Sequence, residues 1–495
     1  MVAALAAHLI KNKEDFMRHA VIVIALSLMI LFGQNPTGLD AQDWGSVSSY
    51  SVSLKKWNPE VMDALAKKSP KPGRVTLNRS TGPDAFNNVA KWDWVTEISL
   101  QSETVESLKP IEQMTALRKV RLGLKKSKEK PIDLGPIAKL QKLEDLDCYA
   151  TKVTNLDALK GHPSLKFLSL YMSSVDSLEF VADVPALEKL NLYGFGHTFP
   201  NYEPVAKIKN LKTLDIYMNK QAVDANLEVL KNLSALEEIH LSNCHYVTNL
   251  DFLENCLSMK KIRANWCKGL KDVSAIANMP NLEELQLSDV QVSDLSLLKD
   301  RLKLKHLGLN GSPITDLTDL ADLTNLEYLS LSGSKVTDIS AIEKLINLST
   351  LMLSKTQVED ISVLAKLPKL SSVDLSESAV SNVTALASHI GLRTVNLKKS
   401  KVTDISPLKE LASMSYLMIA GTDVSDISSL SEHPKLYSID LSGTKVTDFD
   451  VLTTCPSMRS IYLPSTVTEE QVAKLKEKLP KANIRVEKKK TNHPV

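Results

Sequence analysis

A chain of 495 residues is too long for one ordinary globular core, and length alone suggests about three domains. Its hydrophobic content of 43% can fill a large core, with aromatics contributing only 5%. Lys plus Arg number 60 against 58 Asp plus Glu, a formal net charge of +2, so no basic field points to nucleic acid or to an anionic membrane.

The first element is an apolar run, Ala20–Gly33 (AVIVIALSLMILFG), preceded by Arg18 and His19. It is short for a membrane-spanning helix and suits a secretory h-region. Residues 1–41 are expected to form a signal peptide, with Met17 as an alternative start and cleavage near Ala41. Leu39, at the −3 position, is bulkier than the small residue usual there. An uncleaved N-terminal anchor is the alternative, and no membrane span is expected in the mature chain. Residues 42–94 are read as an N-terminal cap. Within it Asn58–Lys68 predicts a helix, with Asn58 as N-cap and Pro59 in the first turn, and Val75–Leu77 predicts a strand.

From residue 95 the chain repeats itself. The segments starting at Leu326, Leu348 and Leu370 read LEYLSLSGSKVTDIS, LSTLMLSKTQVEDIS and LSSVDLSESAVSNVT, each 22 residues after the last. This frame runs from Leu282 to Met458 without insertion and extends upstream, with small length changes, to Val95. It predicts 17 repeat strands over residues 95–466. In each unit L-x-x-L-x-L alternates as a strand must, so Leu329 and Leu331 point inward while Tyr328, Ser330 and Ser332 point out. The apolar spacing then widens to threes at Ile339, Ile342 and Leu345, as in a 3₁₀ or short helical return. One unit cannot bury its own leucines, so neighbours must stack. At the C-terminal end Thr468-Glu469-Glu470-Gln471 is a capping-box signature for a helix to about Leu479, followed by a closing strand at Ala482–Val486. Residues 467–487 thus read as a C-terminal cap and 488–495 as a disordered tail.

The repeat resembles the leucine-rich-repeat family in its 22-residue form, shared by internalins and by phosphatase-regulating nuclear repeat proteins. The VTDIS wording at Val336–Ser340 and Val402–Ser406 resembles the bacterial internalin type. The resemblance implies an α/β solenoid, a leucine-rich-repeat horseshoe with a concave parallel β-sheet and convex turns of 3₁₀ or short helix. It also implies a non-enzymatic role in which that sheet face meets a partner.

Residues that could carry chemistry have structural readings. Carboxylates recur at 22-residue intervals in Asp294, Asp316, Asp338, Asp360, Asp404, Asp426 and Asp448, with Asn382 filling the gap. Their expected role is to cap the convex turn through backbone N–H groups rather than to hold calcium. A Ser/Thr series (Ser312, Ser334, Thr356, Ser378, Ser400, Thr422, Thr444) stands where the family commonly has Asn and is expected to do part of its bonding. Cys148, Cys244, Cys256, Cys267 and Cys455 fall at inward positions and are expected to be buried thiols. Cys244 and Cys267 share a slot in adjacent repeats, which leaves a disulfide open if the chain is exported. The ten His residues are scattered, with His240 and His306 on the sheet face. No nucleophile elbow, phosphate loop or metal-ligand spacing is present, so no catalytic residue, metal or cofactor is expected.

Two patterns remain on the concave face. Charges alternate between neighbouring repeats: Arg118, Lys119 and Arg121 precede Glu144, Asp145 and Asp147, and Glu237 and Glu238 precede Lys260, Lys261 and Arg263, then Glu283 and Glu284, then Lys305. Opposite charges on adjacent strands neutralise one another. One column carries Tyr149, Tyr171, Tyr193 and Tyr217 in successive repeats, with Phe167 beside it. Rigid aromatics with a polar tip suit recognition, and mutual stacking is the competing role. The aromatic loop Gly194–Tyr202 borders the column, and Tyr416, Tyr437 and Tyr462 form a weaker second group. The expectation is an exported protein, secreted or periplasmic or at the cell surface, that binds a protein or a glycan through Tyr149, Phe167, Tyr171, Tyr193 and Tyr217. An intracellular phosphatase-regulator-like scaffold and a structural or adhesion component of a cell surface are the competing expectations.

Overall fold

The computed structural model describes residues 45–47, 51–55, 71, 73–124, 130–173, 175, 177–193, 201–217 and 226–488. The expected signal segment, the helix over Asn58–Lys68, most of the loop after Tyr193 and the tail beyond Lys488 lie outside them. The chain divides into two compact units, Met1–Leu236 and Glu237–Val495, and the break falls inside the repeat array.

In the first unit, Gly45–Val47 pairs antiparallel with Ser51–Leu54, and every later strand of that sheet is parallel to its neighbour. Arg74–Leu77 is the strand anticipated at Val75–Leu77. Six repeat strands follow: Glu97–Leu100, Lys119–Leu122, Asp145–Asp147, Phe167–Ser169, Lys189–Asn191 and Thr213–Asp215. Their inward residues align as one column, Val75, Ile98, Val120, Leu146, Leu168, Leu190 and Leu214. All seven are at most 2% exposed. A second, two-stranded sheet pairs Ile132–Asp133 with Val153–Thr154. The strand at Ser51–Leu54 and the helix Pro83–Val89 are additions the repeat pattern does not reveal, because neither carries its L-x-x-L-x-L signature.

The second unit holds the other eleven repeat strands, from Glu238–His240 to Ser460–Leu463. Between strands the chain returns through 3₁₀ turns of three to five residues, such as Ser340–Lys344. In the repeat beginning at Leu326, the residues Leu326, Leu329, Leu331, Val336, Ile339, Ile342 and Leu345 are all at most 1% exposed. Each such side chain contributes about 1.5–3 kcal/mol of transfer free energy, an upper-bound figure because the unfolded chain is itself partly compact.

In the second unit the chain leaves most strands through a residue in the left-handed region. Glycine occupies it at Gly311, Gly333, Gly421 and Gly443, with φ between +64° and +70°. Lys355, Glu377 and Lys399 adopt the same conformation at φ +58°, +56° and +53°, at some steric cost.

The last repeat is closed by the helix Glu469–Lys478 and the strand Asn483–Val486, which pairs parallel with Ser460–Leu463. The capping box forms: the Gln471 N–H donates to the Thr468 hydroxyl at 3.2 Å, and the Thr468 N–H donates to Gln471 Oε1 at 3.0 Å. Glu469 and Glu470 in the first turn, with Lys476 and Lys478 in the last, complement the helix dipole.

Candidate binding surface

The four tyrosines of the first unit meet as one stack. Ring centroids are 5.0 Å apart for Tyr149–Tyr171, 4.1 Å for Tyr171–Tyr193 and 4.7 Å for Tyr193–Tyr217, with interplanar angles of 10° to 19°. These spacings follow the roughly 4.8 Å separation of neighbouring strands, so the backbone sets the pitch of the ladder. Each tyrosine lies two residues beyond the end of its strand. The ladder therefore runs along the sheet margin where the chain leaves the strands, and the strand bodies themselves do not carry it. The polar residue that ends the strand helps to fix its position. The N–H groups of Tyr193 and Tyr217 donate to Asn191 Oδ1 at 2.9 Å and Asp215 Oδ1 at 3.2 Å. Phe167 stands on a strand body, half-buried, paired in register with Asp145 and Lys189.

The tyrosines are thus partly covered by one another, in the mutual stacking that the sequence offered as the role competing with recognition. Tyr149, at one end, is 40% exposed, while Tyr171, Tyr193 and Tyr217 are half-buried. The Tyr171 phenol is pushed up to about 12, first by its hydrogen bond with Tyr193 and then by burial.

The alternating charges pair as expected. In the first unit Arg118 meets Glu144, Lys119 meets Asp145 at 2.9 Å and Arg121 meets Asp147 at 3.1 Å. In the second, Lys260 meets Glu237 and Lys261 meets Glu238, both at 2.8 Å. Lys305 meets Glu283 at 3.1 Å, and Arg263 grips Glu284 with two bonds of 2.8 and 3.0 Å. Much of the sheet's charge is consequently matched within the sheet.

The carboxylate series caps turns throughout. Asp294, Asp316, Asp338, Asp360, Asp404 and Asp426 each accept the N–H of the residue two positions on at 2.8 Å, as does Asn382. Asp448 does so at 2.9 Å. Asp294, Asp360 and Asp426 are held below the usual carboxylate range chiefly by these backbone bonds, and Asp316 chiefly by the Thr318 hydroxyl. The Ser/Thr series is buried, and Thr356, Ser378, Thr422 and Thr444 donate to the carbonyl three residues back at 2.6 to 2.7 Å. Ser312 instead donates to Leu287 O of the preceding repeat, at 2.8 Å. All five cysteines are buried thiols outside any disulfide, Cys244 and Cys267 included. Burial pushes the Cys267 thiol up to about 12.

Of the other residues singled out, His240 bonds Ser242 at 3.1 Å and His306 lies against Tyr328 with centroids 6.3 Å apart. Tyr416 and Tyr437 are tilted by 53° at 6.0 Å, and Tyr462 lies beneath Arg485, so this group makes no ladder. Two features escaped the sequence reading. His162, His389 and His433 are buried in a slot that leucine fills in repeats such as those of Leu323 and Leu345. His162 and His389 reach back to Leu140 O at 3.1 Å and Leu367 O at 3.2 Å in the preceding repeats. A comparison of each His with the leucine 22 residues away in the frame would have found them. The second feature is Gly123, which occupies the ladder column one repeat before Tyr149.

A family model described as leucine-rich repeats in two copies matches residues 303–344. A structure of a leucine-rich-repeat protein from Leptospira interrogans shares the fold at 16% identity and TM-score 0.51, covering 87% of this chain and 93% of that one. An internalin of Listeria monocytogenes is 24% identical, covering 65% of this chain and 84% of that one, at TM-score 0.47. The repeats, their stacked parallel strands and the 3₁₀ returns define a leucine-rich-repeat solenoid. Leucine-rich repeats are matched directly at residues 303–344, and the 22-residue V-x-D-I wording of the units is similar to that of internalins. A Trypanosoma equiperdum protein provisionally named as an adenylate cyclase regulatory protein is 34% identical over 121 residues, 24% of this chain. That match spans only 19% of the relative's own length.

Proposed function

We propose that this chain is an exported, non-enzymatic binding protein that recognises a protein partner on the open sheet face of its first unit. Tyr149, Phe167, Tyr171, Tyr193 and Tyr217 form the contact. The observation that carries this reading is the four-ring ladder itself. It places large rigid surface and four phenol groups along one margin, next to ion pairs that are already matched. Rim charges paired within the sheet add little affinity, whereas aromatic anchors dominate binding hot spots. Export rests on the h-region at Ala20–Gly33.

Tyr171→Ala with Tyr193→Ala tests the ladder. The double variant should still unfold cooperatively but fail to capture the partner that the parent chain retains. Undiminished capture by the folded variant would sink the assignment. The name of the trypanosomal relative favours a second reading, regulation of an enzyme inside the cell by the same type of repeats. Amino-terminal sequencing of the chain recovered from its native host separates the two. A start near Gln42 supports export, and an intact leader on a cytosolic chain supports the regulator.

A further inference from the structure

Resting on that reading, we infer that the Gly123 end of the tyrosine ladder is a slot for one aromatic side chain of the partner, flanked in the partner by carboxylates. The ladder column, followed toward the N-terminus from Tyr149, reads Gly123, Gln101 and Asn78. Each of these three donates its N–H to the carbonyl that ends the previous strand's inward run, Leu100 O, Leu77 O and Leu54 O, at 2.8 to 2.9 Å. The column thus continues in register past Tyr149, with these N–H groups bonded to backbone where those of Tyr171, Tyr193 and Tyr217 bond a side chain two residues back, and the ring is missing at Gly123. Tyr149 stacks on Tyr171 and, among the described residues, meets no ring on its other side. An open cavity of about 360 Å³ lies there, lined by Arg79, Gln101, Arg121, Gly123, Asp147 and Tyr149.

Glycine is not demanded by the backbone at this point. A Cβ on Gly123 would meet only the Gln101 side chain at 3.5 Å and Leu100 O at 3.8 Å, which are ordinary contacts. Four successive repeats carry tyrosine in the same place. What glycine supplies is space, about one strand spacing wide, beside an uncovered ring face. A planar ring entering there becomes the fifth member of the stack. The slot is also positively biased: Arg121 is matched by Asp147, while Arg79 is exposed and has no ion-pair partner among the described residues. Carboxylates beside the entering ring would meet that guanidinium.

The test titrates the full chain with N-acetyl-Asp-Phe-Asp amide and, as control, the same peptide with Leu in place of Phe, by isothermal calorimetry. The aromatic peptide should bind saturably, and the leucine peptide roughly tenfold more weakly. Gly123→Tyr fills the slot from within and should abolish the difference between the peptides. Arg79→Glu, at an exposed position, should weaken the aromatic peptide several-fold and serves if Gly123→Tyr lowers the melting temperature sharply. Absence of saturable binding to the parent chain, an undiminished preference for the aromatic peptide in folded Gly123→Tyr, or undiminished affinity for that peptide in folded Arg79→Glu, overturns the slot. Such a result leaves partner capture by Tyr171 and Tyr193 to stand or fall on the double variant, so the two readings fail separately.

Discussion

The stretch from Tyr149 to Tyr217 and the uniform stretch from Leu282 to Leu463 are built on the same strand yet fill the same surface column differently. In the first, four consecutive repeats place tyrosine just beyond the strand, and the ladder spacing slips from 22 to 24 residues before Tyr217. In the second the frame never slips, and the equivalent positions hold small or polar residues such as Ser288, Asn310, Ser332, Ser354, Ser376 and Ser442. Both bury the same leucine set. The difference teaches that stacking of repeats alone does not require aromatics at the margin, so the tyrosines answer to something other than the core.

The largest effect that sharpens the contrast is on stability. Leu329→Ala, at a site 0% exposed, should cost about 2–5 kcal/mol in urea unfolding. Tyr171→Ala loses two stacking neighbours and should cost about 1–3 kcal/mol at most. Equal costs would mean that the ladder is as structural as the core and would break the distinction.

A second effect cuts across both regions. His162 in the first unit and His433 in the second are buried, and burial lowers the pKa of each from its ordinary value. The unfolded chain then binds protons more readily, so the neutral imidazoles leave stability intact above about pH 6.5 and reduce it as pH falls below that value. His433→Leu, restoring the residue of other repeats, should flatten this slope in a series of melts from pH 7.5 to pH 5. An unchanged slope in the single and the His162→Leu variants would exclude the histidines as its cause.

Acid separates the regions again, with a smaller effect. Turn-capping carboxylates with lowered pKa are more numerous in the second unit, at Asp294, Asp316, Asp360 and Asp426, than in the first, where Asp133 caps Gly135 in the same way. Their contribution is complete above the unfolded carboxylate pKa, about 3.9, and is lost as pH falls through their lower folded values. Asp360→Ala should shift the acid transition of the second unit upward by a fraction of a pH unit, followed by hydrogen exchange of the Ser362 amide. The smallest signal is spectroscopic. With Tyr171 pushed up to about 12, one phenol should ionise later than the rest in an ultraviolet titration, and Tyr193→Phe should bring it back toward ordinary values.

The repeat frame, the inward leucines, the capping aspartates, the capping box at Thr468 and the pairing of Lys and Arg with Asp and Glu were all legible in the chain itself. Each is a local rule: alternation makes the strand, an Asx residue two positions ahead of a turn caps it, and a 22-residue period brings like positions side by side. The ladder residues were legible as a column and their stacking as one of two roles, but the ring geometry and the extent of mutual cover were not. Ring contact depends on strand pitch and side-chain direction across residues 22 or more apart, which only the stacked structure sets. The same holds for Gly123, which in the sequence is one more glycine after a strand. It becomes a gap only when Tyr149 and the lining arginines are placed around it, because a missing ring has meaning only beside the rings that remain.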